Sequence, residues 1–148
     1  MNVKILTDIF GDQIRDITSF RDEITVTVDK GAVLSLCRFL KDSEDFALNF
    51  LSDLCGVDRF PTSPRFRVVY HLYSTIHHHR LRVKIDLEAA DPVIESVVSV
   101  WQTADWHERE CYDMFGIRFR NHPDLQRILM PDDCKGYPLR KDFPLEGY

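Results

Sequence analysis

Between Trp106 and Pro144 the chain reads WHERECYDMFGIRFRNHPDLQRILMPDDCKGYPLRKDFP, and its first third holds the side chains best suited to chemistry: Glu108, Arg109, Glu110 and Asp113. Carboxylates beside an arginine are the parts of an acid/base pair or of a cation site. Their spacing suits neither. On a helix Glu108 and Glu110 lie about 200° apart, so they cannot flank one substrate bond, and carboxylates sharing an ion stand three or four residues apart. Arg109 and Asp113, at i and i+4, are placed to pair with each other. Glu108, three residues after Asp105, is placed as the returning acid of a capping box. It also falls in line with Trp101, Ala104, Cys111 and Phe115 on an apolar stripe, where a carboxylate needs a partner. Arg118, Arg120 or Arg127 is expected to supply one, which would make this cluster a clasp between helix and tail.

The other candidate ligands do not assemble. His77, His78 and His79 are adjacent, and neighbours on an extended backbone point to opposite faces. Three such imidazoles do not close on one ion, so a solvated hairpin loop is the expectation. Cys37, Cys55, Cys111 and Cys134 form no C-x-x-C, which spells neither a zinc knuckle nor an iron–sulfur cluster and leaves reduced thiols. No G-x-G-x-x-G, P-loop, G-x-S-x-G or H-E-x-x-H occurs, so no catalytic, cofactor-binding or metal-binding residue is assigned. A free-standing metal or acid/base enzyme is the reading these spacings disfavour.

Several elements must position the cluster. Ile5, Leu6, Ile9 and Phe10 predict a short opening helix before Gly11. Ile24 to Val28 alternates with β-branched residues, as a half-buried strand does. Val33, Leu36, Cys37 and Leu40 form one face of a helix. In residues 46 to 57 the spacing of Phe46, Phe50, Leu51 and Leu54 favours a helix ending at Gly56 over a buried strand. After the break from Pro61 to Pro64, Phe66, Val68, Tyr70 and Leu72, then Leu81, Val83, Ile85 and Leu87, predict a hairpin. Asp91-Pro92 predicts a helix start, with Val93, Val97, Val98 and Trp101 as its buried stripe. A second helix begins at Asp105 and stops at Gly116.

The whole is expected to be α+β: a small mixed or antiparallel sheet packed by helices in a compact domain, 1–116, followed by an extended arm, 117–148. The arm holds four of the seven prolines, Pro123, Pro131, Pro138 and Pro144, too closely spaced for a helix or inner strand. A turn is expected at Lys135-Gly136. Ile128, Leu129, Met130, Tyr137, Leu139, Phe143 and Leu145 are too apolar for a solvated linker, and such residues bury against a partner. Nucleic acid is disfavoured as that partner: residues 1–115 carry 13 Lys+Arg against 19 Asp+Glu, and residues 116–148 carry 6 against 5, too little excess for a phosphate-tracking surface. At 148 residues one core suffices. No window reaches the roughly 18 to 20 apolar residues of a membrane span, so any membrane role runs through partners.

Five runs together carry a family likeness: Glu108-Arg109-Glu110, Asp113-Met114-Phe115-Gly116-Ile117, His122-Pro123-Asp124-Leu125, Arg127-Ile128-Leu129 and Gly136-Tyr137-Pro138-Leu139-Arg140-Lys141-Asp142-Phe143-Pro144. In order and spacing they resemble the signature of the 30 kDa-type, or C-type, subunit of respiratory complex I, the proton-translocating NADH:quinone oxidoreductase. The likeness covers about the last 40 residues sharply and the two hairpin strands with the predicted helix from Pro92 more loosely, while residues 1–60 are only compatible with it. Three positions depart from it: Gln126 stands where a basic residue is usual, Cys134 where tryptophan is usual, and Asn121 where glycine is common. Asn is the residue after glycine that best tolerates a left-handed backbone.

The resemblance implies a non-catalytic structural subunit of the hydrophilic arm, peripheral on the cytoplasmic side of a bacterial inner membrane. It implies no cofactor in this chain, with FMN, iron–sulfur clusters and quinone held by partner subunits. The implied partners are the quinone-site, or D-type, subunit and the one bearing the terminal iron–sulfur cluster. The implied assembly contacts are Glu108, Arg109, Glu110, Asp113, Gly116, His122, Pro123, Arg127, Pro138, Leu139, Arg140, Lys141 and Asp142. The equivalent subunit of a membrane-bound hydrogenase or formate-oxidising complex shares the motif and is the alternative.

Overall fold

The computed structural model describes residues 1–146; the last two residues of the predicted arm lie outside them. Helix α1, Lys4–Phe10, buries Leu6. Strands β1, Ile14–Phe20, and β2, Glu23–Val28, form a hairpin. Its two loop residues, Arg21 and Asp22, both have positive φ, 51° and 64°, the primed turn geometry whose twist matches that of the flanking strands. Helix α2, Val33–Asp42, then carries the chain across to β3, Phe50–Asp58, at the far edge. Strands β4, Phe66–Tyr73, and β5, Arg80–Leu87, return inward as the expected hairpin. β5 runs parallel to β2, and the sheet order is β1-β2-β5-β4-β3.

This mixed sheet is apolar on one face only. Val26, Val28, Phe66, Val68, Tyr70, Leu72, Leu81, Val83, Ile85 and Leu87 join Val33, Leu36, Cys37 and Leu40 of α2 in one core. The opposite face carries ion pairs across strands, with Arg67 bidentate on Asp86 at 2.6 and 3.0 Å and Arg82 on Glu23 at 2.6 Å. Alternation along an antiparallel hairpin with one wet face produces this division.

Two expectations fail. Residues 50–58 are a strand, not a helix. The register slips by one residue between Leu51 and Asp53, so Leu51 and Leu54, three apart, both reach the core. A bulge of this kind imitates helical spacing. The helix predicted from Pro92 is also absent. Val93–Glu95 forms β6, which pairs in parallel with β7, Arg118–Arg120, to make a second, two-stranded sheet. The local signal of Asp91-Pro92 yields to a β-branched run with hydrogen-bonding partners 25 residues away.

Between β6 and β7 lies α3, Ala104–Phe115, packed on β3. A side chain at Gly56 of β3 would place its Cβ 2.6 Å from the Phe115 ring and 2.9 Å from Cys111 Sγ, so glycine sets how closely helix and strand approach. Gly116 ends α3 in the left-handed conformation, φ 75°, and its N–H donates to the Tyr112 carbonyl, as the sequence predicts. Residues 121–146 form no helix or strand and run back along α3. Asn121 (φ 64°) and Gly136 (φ 79°) make the left-handed corners.

Candidate functional site

Two buried carboxylates organise the junction of α3 and the tail. Asp113 has no exposed surface. Its Oδ1 receives Arg127 Nη1 at 2.8 Å, and its Oδ2 receives the consecutive backbone N–H groups of Ile128, Leu129 and Met130 at 3.1, 2.7 and 2.9 Å. Desolvation opposes the charge, but the Met130 N–H, Arg127 and the N–H groups of Leu129 and Ile128 outweigh it, and the pKa is lowered. Arg127 also donates to the carbonyls of Cys134 and Gly136, at 3.2 and 2.9 Å. One charge pair thus gathers residues 127–136 against the helix.

The expected partner of Asp113 is therefore displaced. Arg109 donates to the Gln126 and Arg127 carbonyls, both at 3.1 Å, and lies over the Trp106 ring. The i, i+4 spacing permits an Arg109–Asp113 pair, but Asp113 faces inward, where the tail supplies four donors.

Glu108 is also corrected. It is neither the acid of a capping box nor the partner of a tail arginine. Its Oε2 accepts from Ser96 Oγ and its Oε1 from the Val97 N–H, each at 2.7 Å. Arg118 and Arg120 instead meet Asp91 and Glu95. Burial pushes the Glu108 pKa up to about 7; the Ser96 and Val97 hydrogen bonds pull against this, and Asp105 and Glu95 add to it. His122, with its side chain fully buried, brings Nε2 to 3.1 Å from Asp105 Oδ1 and 3.9 Å from Glu108 Oε2. Its Nδ1 accepts the Asp124 N–H at 2.9 Å, so Nε2 carries the proton towards the acids.

A third contact closes the far end of the tail. Arg65 is bidentate on the buried Asp58, at 2.9 and 2.8 Å, and reaches Asp142 at 2.8 Å. The Arg65 hydrogen bonds outweigh desolvation and, with the N–H groups of Lys141 and Phe60, hold Asp58 well below the usual carboxylate range. Arg140 donates to the Phe115 carbonyl at 2.7 Å and stacks against Tyr137 and Phe66. The Leu139 N–H reaches the Met114 carbonyl. A Cβ at Gly116 would fall 2.6 Å from both Arg140 Nη2 and the Tyr137 ring, so that glycine is required for contact as well as for φ.

The signature residues thus divide into two groups. Glu108, Arg109, Asp113, Gly116, His122, Arg127, Arg140 and Asp142 hold the tail or its base through the bonds above. Glu110, Pro123 and the Lys141 side chain face outward, as does Leu139 at 55% exposure; Pro138 is half-buried. Sequence reasoning missed Asp58, Arg65 and Ser96, and read Tyr137 only as an apolar residue of the arm. Only the acid at the end of an apolar run just before Pro61 hinted at Asp58.

The histidine run does not converge. His77 and His79 donate to the Glu44 and Phe46 carbonyls, each at 2.7 Å, and His78 meets Tyr73. The loop is therefore bonded to a neighbouring turn and not simply solvated.

Comparison with known proteins gives a consistent assignment. Residues 26–148 match the family described as respiratory-chain NADH dehydrogenase, 30 Kd subunit. The chain is 51% identical over 142 residues to the C-type NADH-quinone oxidoreductase subunit of Citrifermentans bemidjiense, covering 96% of this chain and 87% of that one. It is 47% identical over all 148 residues to the second C-type subunit of the same enzyme in Rhizobium etli, covering 79% of that protein. Among solved structures, a trypsin-resistant fragment of Nqo5 superposes with a TM-score of 0.70 at 28% identity, covering 82% of this chain and 97% of the fragment. A chain of an archaeal membrane-bound sulfane sulfur reductase shares the fold, with a TM-score of 0.79 at 22% identity over 97% of this chain and 84% of that one.

Proposed function

Since the chain belongs to the 30 kDa subunit family of respiratory-chain NADH dehydrogenase, we propose that it is a structural subunit of the hydrophilic arm of complex I, with residues 117–148 as its docking element. The compact body, 1–116, positions that element. The partners are the quinone-site subunit and the one bearing the terminal iron–sulfur cluster, on the cytoplasmic side of the membrane. FMN, iron–sulfur clusters and quinone belong to other subunits, and this chain carries none of the reacting groups. No helix among the described residues is long and apolar enough to cross a membrane, so its attachment runs through partners.

The observation that carries this reading is the division of labour along the tail. Arg127, Arg140 and the backbone N–H groups of Ile128, Leu129, Met130 and Lys141 are bonded inward to Asp113, Phe115 and Asp58, whereas the side chains of Leu129 and Leu139 are 62% and 55% exposed. Apolar side chains held outward on a fixed backbone are preorganised for association. A Leu129→Asp, Leu139→Asp double variant tests this directly. The variant should fold with an unchanged melting curve, because neither side chain belongs to the core. Its recovery with the complex from native membranes should fall roughly tenfold or more, as expected when charge enters a buried contact. Recovery equal to wild type would refute the proposed docking face.

A further inference from the structure

Asp53, Cys55 and His71 bring a carboxylate oxygen, a thiol sulfur and an imidazole nitrogen within 4.8 Å of one another. We propose that this triad on β3 and β4 is a binding site for a borderline divalent cation of the zinc class. The three donor types are those that such an ion accepts, and a tetrahedral ion held by three side chains keeps its fourth position for water. The triad is independent of the docking proposal.

The register slip described above builds the arrangement. It places Asp53 opposite His71 across the antiparallel pair, while Cys55, two residues on and on the same face, is the diagonal neighbour of His71. Without the extra residue, Asp53 would stand opposite Tyr70, whose side chain belongs to the core. Ser52, at the slip, fixes it by donating its hydroxyl to the His71 carbonyl at 2.8 Å. Bulges recur where a strand must re-aim a side chain.

The three donors converge without being hydrogen-bonded to one another. Among the described residues, neither the His71 ring nor Cys55 Sγ has a hydrogen-bond partner, and Asp53 meets only His107 Nδ1, at 3.5 Å. That contact from α3 is suited to orienting the carboxylate, as outer partners of metal ligands do. Burial, followed by the nearby Arg82 charge, lowers the pKa of His71, so the ring offers a lone pair at neutral pH. Burial, Asp53 and Glu110 raise that of Cys55, so the free thiol keeps its proton. The cation would replace that proton, forming a metal–sulfur bond and releasing one proton to solvent.

Titration of the metal-free full-length chain with zinc by calorimetry, and with cobalt by absorption, decides the matter. One equivalent should bind, the cobalt complex should show a thiolate-to-metal charge-transfer band, and binding should weaken as pH falls. Cys55→Ser and His71→Gln should each weaken binding by more than the roughly 10 to 100-fold that loss of an outer partner costs. Asp53→Asn, at an exposed position, guards against failure of the other two to fold. Joint replacement of His77, His78 and His79 by Ala should leave the constant unchanged. Absence of saturable binding, a cobalt complex without the thiolate band, or an affinity that survives Cys55→Ser would each overturn the proposal.

Discussion

Asp113 and Glu108 lie on the same helix, five residues apart, and both are fully buried, yet their carboxyls move in opposite directions. Asp113 receives a guanidinium and three backbone N–H groups and is driven low. Glu108 receives one hydroxyl and one N–H, with acids nearby, and is pushed up to about 7. Burial alone therefore does not set the charge of a core carboxylate; the number and charge of the donors that replace water do. Near the C-terminal end of α3 a carboxylate stabilised in its charged form grips the tail. Further back on the same helix stands a group that gains and loses its proton near neutrality.

Asp113→Ala should break the comparison most severely. It leaves Arg127 without its counter-charge and three N–H groups without an acceptor, at a cost of about 3 to 5 kcal/mol. Urea unfolding reads the loss, and the amides of Ile128, Leu129 and Met130 should lose hydrogen-exchange protection before those of β4. Unchanged protection there would mean that the tail is held by something other than Asp113.

A pH series separates the two carboxyls next. The folded pKa of Glu108 lies above its ordinary 4.5, so its contribution is fully present below about 4.5 and is lost as pH rises through about 7, on the order of 3 kcal/mol in all. Asp113 works with the opposite sign: its folded pKa lies below the ordinary 3.8, so its contribution is present above that value and is lost as pH falls through the folded one. Glu108→Gln, which cannot ionise, should flatten the stability profile between about 4.5 and 7 and leave the acid limb in place. A decline that persists in that variant would assign the titration to another group.

The smallest effect is expected at the arginine that spacing alone would have given to Asp113. Arg109→Gln removes donors to two carbonyls and should cost about 1 kcal/mol, with the acid limb unmoved. A displaced acid limb would show that Arg109 contributes to holding Asp113 ionised.

What the sequence revealed here depended on distance along the chain. The β4–β5 hairpin, α2 and the stop of α3 at Gly116 could all be read because alternation, a helical face and a terminal glycine are local patterns. Strand β3 was hidden because Leu51 and Leu54 imitate a helix across the slip at Ser52. The pair β6–β7 was hidden because each strand is three residues long and its partner is remote. At the site, an anomalous carboxylate on the apolar face at Glu108 was legible, and so was a helix-to-tail clasp. Its pairing was not. Arg127 and Ser96 are brought to Asp113 and Glu108 by the turns around Asn121 and before α3, which no spacing rule encodes. The family likeness marked Arg127, Arg140 and Asp142 but could not tell which way each faces.

The clasp around Asp113 recognises peptide groups almost exclusively. Asp113 takes three successive N–H groups, Arg127 takes the Cys134 and Gly136 carbonyls, and Arg109 takes those of Gln126 and Arg127. Every residue except proline offers the same N–H and C=O, so apart from Arg127 itself this grip does not depend on what the side chains between Gln126 and Gly136 are. Gln126 and Cys134, the two conspicuous departures from the family pattern, contribute to it through their carbonyls. Anchorage and identity are thereby uncoupled: the path of the tail can stay constant while the side chains it displays change to match a different neighbour.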